Sequence, residues 1–408
     1  MDEKIIIIGG GIAGLTSAYY LNKAGYNNIT VLEKTNRLGG RMYSYQTKYG
    51  IAEIGAIIIP KWYKYLMELI NDLNIETTDN PYSNVTPYFD LGTGKLEKAM
   101  NAKTIFEGIV LLLKNISTLR RSSIYNPIPI SQEESYDKFN KQLGNDARIT
   151  LLMDSIIQGF CYPSIQYFPD EILLPALKKL IFSGGIEKGV FLKRGNESLI
   201  GQIRKDLNAT IKLKKNITSV DSKKKIVKTK EGDHKYDKLI FATLPDEYLK
   251  LNIPETNSVK FHVITTNTNN KLYPEGKEDW GGIIKLNRNP NKGLNIVFIN
   301  PLEGLGNRNN TVITHYVADY NKETTSPKEI EDFIIQKTRD YIPAFEIDSV
   351  LHRHTWEKTI PTLSAKTIQT IKAQQGSDDI YYAGDYLGFP SMEVAVYSGK
   401  HVASLISK

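Results

Sequence analysis

The chain has 408 residues, of which 41% are hydrophobic and 24% charged, the balance of a globular protein with room for two domains and a sizeable core. Its single cysteine, Cys161, excludes an intramolecular disulfide and makes a reducing compartment the simpler expectation. The net charge of +7, from 52 Lys and Arg against 45 Asp and Glu, is dispersed along the chain. Charge dispersed in this way is first a solvated surface and only then a sign of an anionic substrate or a weak membrane-surface contact. Nucleic acid is a poor match, with no zinc knuckle, helix-turn-helix pattern or aromatic-rich basic stripe.

Residues 1–8, Met-Asp-Glu-Lys followed by four isoleucines, are too acidic and too short for a signal peptide. Ile5–Ile8 has the continuous β-branched character of a strand buried on both faces of a parallel sheet. Glycines follow, then a helical pattern over residues 12–24 ending near Gly25, then a second strand over 29–32 that closes on Glu33. This is a β-α-β unit. Residues 60–80 carry the apolar spacing of one amphipathic helix, and residues 82–190 read as several helices joined by proline-containing loops. Within them, residues 104–116 come nearest to a membrane span, but Glu107 and Lys114 interrupt the run and mark a buried or interfacial helix. A helix over 196–207, entered through Gly195, precedes strands at 211–213, 217–220, 226–229 and 239–243. Residues 258–317 are β-rich, 328–341 helical, and a strand at 380–383 leads into a terminal helix.

Gly9-Gly10-Gly11-Ile12-Ala13-Gly14 is a G-x-G-x-x-G turn in the context it requires, with a strand before and a helix after. Gly9 permits the tight turn, Gly11 lets backbone approach a pyrophosphate, and Gly14 lets the helix pack closely on the strand. The helix N-terminus, with Ile12 and Ala13 in its first turn, presents N–H groups and a partial positive charge to phosphate. Glu33 stands at the distance where an acid hydrogen-bonds ribose hydroxyls, which disfavours a 2′-phosphate and hence NADP. The turn alone does not separate NAD from FAD.

The residues after it do. Glu33-Lys34 leads to Arg37-Leu38-Gly39-Gly40-Arg41, which resembles the R-x-G-G-R sequence of the flavin amine oxidase and phytoene desaturase families. The resemblance implies that Lys34, Gly39 and Gly40 lie against the cofactor and that Arg41 neutralises pyrophosphate charge. Residues 52–56, with Gly55 and Ala56, resemble the segment those families place near the flavin ring, Glu53 standing for the usual acid. Residues 216–220 resemble the segment whose backbone pairs with adenine, a role carried to Ile217, and residues 236–245 resemble the strand and loop that follow.

Tyr381-Tyr382-Ala383-Gly384-Asp385 and then Ser391-Met392-Glu393-Val394-Ala395 resemble the "f-A-G-[DE]" and "s-M-E-G-A" elements of the same families, Val394 replacing a glycine. Here the resemblance implies that Gly384 and Asp385 hold the ribityl chain. Ser391, Met392 and Glu393 would bring a helix N-terminus to the flavin, where it stabilises the anionic reduced form.

Two catalytic candidates rest on the same resemblance. Lys260 occupies the place of a lysine that holds water near flavin N5, although a surface lysine on an edge strand fits these residues equally well. Trp356, in a W-x-x-x-x-P element, corresponds to a residue that packs over the flavin. Ser391 stands where monoamine oxidases carry a cage tyrosine, and no cysteine follows Trp356 to bind flavin covalently, so non-covalent FAD is expected.

The implied fold is α/β: a Rossmann-like FAD-binding domain (1–80, 190–250 and 350–408) interwoven with an α+β substrate domain (81–189 and 251–349). The implied function is an FAD-dependent oxidoreductase that oxidises a small amine or amino-acid-like substrate by hydride transfer to flavin N5. A desaturase of a hydrocarbon-like metabolite and a non-redox flavoenzyme resembling the sugar mutases are the alternatives. The chain is expected in the cytoplasm with a small-molecule substrate and no nucleic acid; a peripheral membrane contact and a homodimer stay open.

Overall fold

A computed structural model describes residues 2–79, 86–98, 101–129, 147–159, 162, 164–165, 168–183, 189–243, 259–287, 292–304, 307–321, 323–359 and 363–408. Cys161, residues 244–245 of the expected strand–loop element, and residues 360–361 after Trp356 lie outside them.

The four isoleucines of Ile5–Ile8 form the central strand of a five-stranded parallel sheet, in the order Thr210–Lys212, Ile29–Leu32, Ile5–Ile8, Lys238–Phe241, Ile380–Tyr382. All four are buried because their side chains alternate between two cores. Ile5 and Ile7 face the helices Ile12–Lys23 and Met392–Ile406. Ile6 and Ile8 pack with Ile217 and Val227, which belong to a separate three-stranded antiparallel sheet, and with Ile368 and Ile371 of the helix Ala365–Ala373. The first and last helices run together because Gly399 lacks a side chain: a Cβ there would lie 2.5 Å from the carbonyl oxygen of Ala13.

From the first strand the chain builds Ile29–Leu32 and Thr210–Lys212 to one side, then returns with Lys238–Phe241 and Ile380–Tyr382 on the other. The reversal leaves a crevice at the carboxyl ends of Ile5–Ile8 and Lys238–Phe241, the place where open α/β sheets bind ligands.

A second, seven-stranded sheet has the order Ser349–Trp356, Lys260–Asn267, Asn307–Asp319, Leu294–Gly304, Trp280–Lys285, Thr86–Asp90, Glu97–Lys98. One face carries Phe261, Val263 and Tyr316 against Ala52, Ile54 and Trp356. The other carries Ile264, Ile313 and Val317 under the helix Pro327–Arg339. That helix starts on a complete capping box, Ser326 with Glu329, and a proline in its first turn.

Most elements stand within two residues of their expected bounds. Residues 60–80 differ: the helix covers only Lys64–Asp72, flanked by the short strands Ile59–Pro60 and Thr77–Asp79, both paired with Gly189–Leu192. Asn74, with φ of 52°, turns the chain out of the helix. Residues 82–190 hold the expected helices and also Thr86–Asp90, which pairs in parallel with Trp280–Lys285. Ser349–Trp356 lies in the residue range expected to accompany the parallel sheet, yet it is hydrogen-bonded to Lys260–Asn267 in the seven-stranded one. No helix among the described residues is long and apolar enough to cross a membrane.

Candidate active site

The crevice is walled by four turns, each fixed by backbone that admits no side chain. Gly9 takes φ of +108°, and a Cβ on it would lie 2.7 Å from Thr243 Cγ2. At Gly14 a Cβ would lie 2.1 Å from the Gly9 carbonyl oxygen and 3.2 Å from Ile7 Cγ2, so the helix can seat on the strand only with glycine there. Gly11 differs: its φ is ordinary, and the atom nearest an added Cβ is Gly40 Cα at 3.9 Å. The space beside Gly11 is open, and the helix that starts after it has no side-chain cap and no acid in its first turn. Its N–H groups therefore remain available to an anion.

The Arg37–Arg41 turn packs directly on this loop. The Gly39 N–H donates to the Gly10 carbonyl at 2.8 Å, and Gly39 bridges to Gly11. Arg37 closes the turn from behind, donating to the carbonyls of Leu38, Met42 and Gly40. Arg41 reaches across to the C-terminal wall, where its guanidinium donates to Asp385 Oδ1 at 2.7 Å. Burial pulls the Arg41 pKa down, but the charge and hydrogen bond of Asp385 outweigh that and hold it above its ordinary value. Two residues expected at one cofactor, 344 positions apart in sequence, are thus ion-paired.

Gly55 and Ala56 form the third wall. The Ala56 N–H donates to the Arg41 carbonyl, and a Cβ on Gly55 would lie 1.9 Å from that same oxygen. Trp356 stands over this turn: its indole N–H donates to the Ile54 carbonyl at 3.1 Å, and its Cζ2 is 3.5 Å from the Gly55 Cβ position. Asp385, at the end of Ile380–Tyr382, opens the fourth wall. The Gly384 N–H donates to Ser398 Oγ at 2.8 Å, tying the turn to the terminal helix. That helix starts at Met392 as expected, with Ser391 as N-cap accepting from the Val394 N–H.

Several expected residues have more specific surroundings than the sequence conveyed. Glu33 is buried, with one oxygen accepting from the Gly10 N–H and the other from the Thr35 N–H and hydroxyl. A carboxylate has about four acceptor positions, so one remains for a hydroxyl. Lys34 is exposed. Ile217 is paired with Thr229 in the antiparallel sheet and its side chain joins the core beneath the parallel sheet. The fully buried Glu393 points away from the crevice. Its carboxylate accepts from the N–H groups of Tyr65 and Leu66 and from the Tyr125 hydroxyl at 2.6 Å, capping the helix Lys64–Asp72.

Lys260 departs furthest from expectation. Side chains alternate across a strand, and Phe261 and Val263 pack with Ile54 and Trp356. Lys260 therefore lies on the opposite face of the sheet, in an interior strand and not an edge one, with its ammonium 4.0 Å from the exposed Glu357. The structure does not bring it together with the crevice residues.

Asn196 escaped the sequence reading, and Glu53 has surroundings that the resemblance did not convey. Asn196 has the residue type of an N-cap, yet its side chain donates to the carbonyls of Ala56 and Ile57 while its N–H donates to Glu53 Oε1. It anchors the turn under Trp356. Glu53 is half-buried and accepts from the Asn196 N–H and the Ser44 hydroxyl, and desolvation raises its pKa to about 8. A local pattern does not carry the contacts of Asn196, whose partners lie 139 to 143 residues away in sequence.

The walls fit a dinucleotide on the chain's own geometry: an open approach at Gly11, uncapped helix N-terminal N–H groups, a cation at Arg41 and buried carboxylates at Glu33 and Asp385. Comparison with known proteins adds that the cofactor is a flavin. Residues 12–407 match the family described as flavin containing amine oxidoreductase. A probable flavin-containing monoamine oxidase A of Dictyostelium discoideum is 27% identical over 183 residues, 41% of this chain and 38% of that protein. An L-amino-acid oxidase of Crotalus adamanteus is 31% identical over 87 residues, 21% of this chain and 17% of that protein. The aligned stretches thus span less than half the length of these relatives.

Over the whole chain the fold is similar to a CLA-producing fatty acid isomerase from P. acnes, with a TM-score of 0.80, 16% identity and coverage of 99% and 98%. It is also similar to a putrescine oxidase, with a TM-score of 0.73, 15% identity and coverage of 100% and 99%. The two-domain amine-oxidase-like fold expected from the sequence is therefore the observed one. By its match over residues 12–407 the chain belongs to the flavin-containing amine oxidoreductase family.

Proposed function

We propose that this oxidoreductase binds FAD non-covalently and oxidises a small amine or amino-acid-like substrate. The Arg41–Asp385 pair is the observation that carries the reading, because it ties the N-terminal dinucleotide turn to the C-terminal helix start within hydrogen-bonding distance. Arg41 and the N–H groups from Ile12 and Ala13 would hold the pyrophosphate beside Gly11, Gly14 seating the helix on Gly9. The remaining acceptor position of Glu33 would take a ribose hydroxyl, Ile217 would lie beyond it toward the adenine, and Asp385 would take a hydroxyl of the ribityl chain.

Met392, at the start of a helix whose Ser391 cap satisfies only Val394, has its N–H available to the flavin's polar edge. Gly55, Ala56 and Trp356 would line the ring. Bound FAD would supply the hydride acceptor, N5, for a C–H bond of the substrate. The protein's part is to orient the two reacting atoms and keep water out, Trp356 acting through its apolar face. Cys161 is the chain's one cysteine and precedes Trp356 by far, which supports a non-covalent cofactor. The cofactor unit would comprise 1–80, 190–250 and the chain after Trp356, and the substrate unit the remainder.

The test is to purify the protein, denature it and identify the released chromophore, then titrate the native enzyme anaerobically with amines and L-amino acids. Released FAD and bleaching by a panel member are expected. A colourless protein, or flavin that stays with the denatured polypeptide, refutes the cofactor assignment. Intact FAD that no amine or amino acid bleaches refutes the substrate class alone.

A further inference from the structure

Six large hydrophobic side chains are exposed among the described residues, and five of them belong to three helices that pack on one another. Ile105, Phe106 and Leu113 project from the helix Ala102–Lys114, Ile116 from the helix Ile116–Arg121 that continues it, and Phe182 from the end of Asp170–Phe182. Phe106, Leu113 and Phe182 are each more than 60% exposed. Leu113 follows Phe106 by two turns and Ile105 lies about 100° around the helix from Phe106, so the three cover one side of Ala102–Lys114, and Ile116 opens the next helix just beyond Asn115. The adjoining stripe, with Thr104, Gly108, Leu111 and Leu112, is buried, and the helix packs on Arg148–Gly159 and Asp170–Phe182. At Gly108 an added Cβ would lie 2.4 Å from Ile181 Cδ1, so Ile181, the residue before Phe182, packs closely on this helix.

A helix with a satisfied inner face has no folding reason to carry a second apolar edge outward. Lys103, Arg120, Arg121 and Lys178 are exposed on the same three helices. Glu107, an acid of the first of them, is mostly buried and faces Lys103 and the Ile149 N–H. An apolar ridge rimmed by cations matches the headgroup–acyl boundary of an anionic lipid layer, where apolar side chains enter and Lys and Arg meet phosphate. A symmetric second copy fits poorly, because a two-fold contact would set this basic rim against itself.

We propose that the face formed by Ile105, Phe106, Leu113, Ile116 and Phe182 docks the protein peripherally on anionic membrane surfaces. The contact is reversible and weakened by salt, since both the apolar area and the charge cluster are small.

The holoenzyme is mixed with vesicles of phosphatidylcholine alone or with about one third phosphatidylserine, and the bound fraction is read by co-sedimentation. Binding is expected to the anionic vesicles only and to fall as salt rises. Arg120→Gln with Arg121→Gln should lower the partition coefficient about tenfold. Phe106→Ser with Leu113→Ser should do the same while flavin content and circular dichroism match the parent, these side chains being exposed. Absence of binding to anionic vesicles, or undiminished binding by both variants, overturns the proposal. So does a dimer in sedimentation velocity that the Phe106→Ser, Leu113→Ser protein lacks, since the face then belongs to a second copy.

Discussion

Two glycines in one loop separate fold from cofactor, and substituting each by alanine tests the separation. Gly14 lies inside a helix, where alanine is ordinarily preferred to glycine by about 1 kcal/mol. Its added Cβ, however, would meet the Gly9 carbonyl oxygen at 2.1 Å, Ala242 Cβ at 3.0 Å and Ile7 Cγ2 at 3.2 Å. Backbone and packed strand cannot move aside cheaply, and overpacking of this kind costs about 1–3 kcal/mol or more beyond the propensity gain. The sign decides between the two effects: Gly14→Ala should destabilise.

Gly11→Ala should not. Its φ of −74° and ψ of 176° suit alanine, and the nearest atom is 3.9 Å away. An unfolded-state entropy gain of about 0.4–1 kcal/mol offsets alanine's poorer N-capping, about 0.5 kcal/mol. The methyl instead fills the approach reserved for the pyrophosphate, so flavin affinity should drop tenfold or more, about 1.4 kcal/mol. Urea unfolding of the deflavinated proteins and the flavin-to-protein ratio of the purified ones give the two readouts. Gly11→Ala protein with a full complement of flavin, or Gly14→Ala protein more stable than the parent, would refute the assignment of roles.

Glu393→Gln should cost about 1–3 kcal/mol, because an amide cannot accept from both N–H groups and the Tyr125 hydroxyl at once; an unchanged melting temperature would contradict the capping role. Glu53 carries a folded pKa of about 8 against an ordinary 4.5. The folded state therefore binds its proton more tightly than the unfolded chain, and the parent should lose stability as pH rises across that window. Glu53→Gln should show a flatter profile and its largest relative gain above about pH 8, so parallel pH–stability curves for the two proteins would count against a neutral Glu53. Lys260→Met should leave the rate of flavin reduction by substrate within about twofold of the parent, measured by anaerobic stopped flow; a tenfold loss would return Lys260 to the site.

The residues that could be read in advance are those whose role is local. Ile5–Ile8, the Gly9–Gly14 turn and Glu33 form one β-α-β unit, so spacing alone conveys their geometry. The start of the terminal helix at Met392 was legible for the same reason. What stayed hidden depends on partners far along the chain. Thr86–Asp90 becomes a strand through Trp280–Lys285, and Asn196 leaves its capping role for carbonyls near residue 56. Glu393 sits in a motif that suggested the cofactor, but its carboxylate was taken by a helix more than 320 residues earlier. Lys260 shows a different limit: a motif supplies a strand and its register only to within a residue, and one residue moves a side chain to the other face.

The parallel sheet brings one consequence for how the protein is made. Its central strand Ile5–Ile8 is synthesised long before its edge strand Ile380–Tyr382. During translation the Gly9–Gly14 turn emerges long before Asp385 or Met392 exists, so a nascent chain displays the crevice with one wall missing. A crevice with all its walls must then await the synthesis of the helix Met392–Ile406, and the exposed edge of Lys238–Phe241 must stay soluble until its partner arrives. The chain has to be shielded or slow to aggregate over that interval, and free flavin supplied during expression should raise yield only once that helix has been completed.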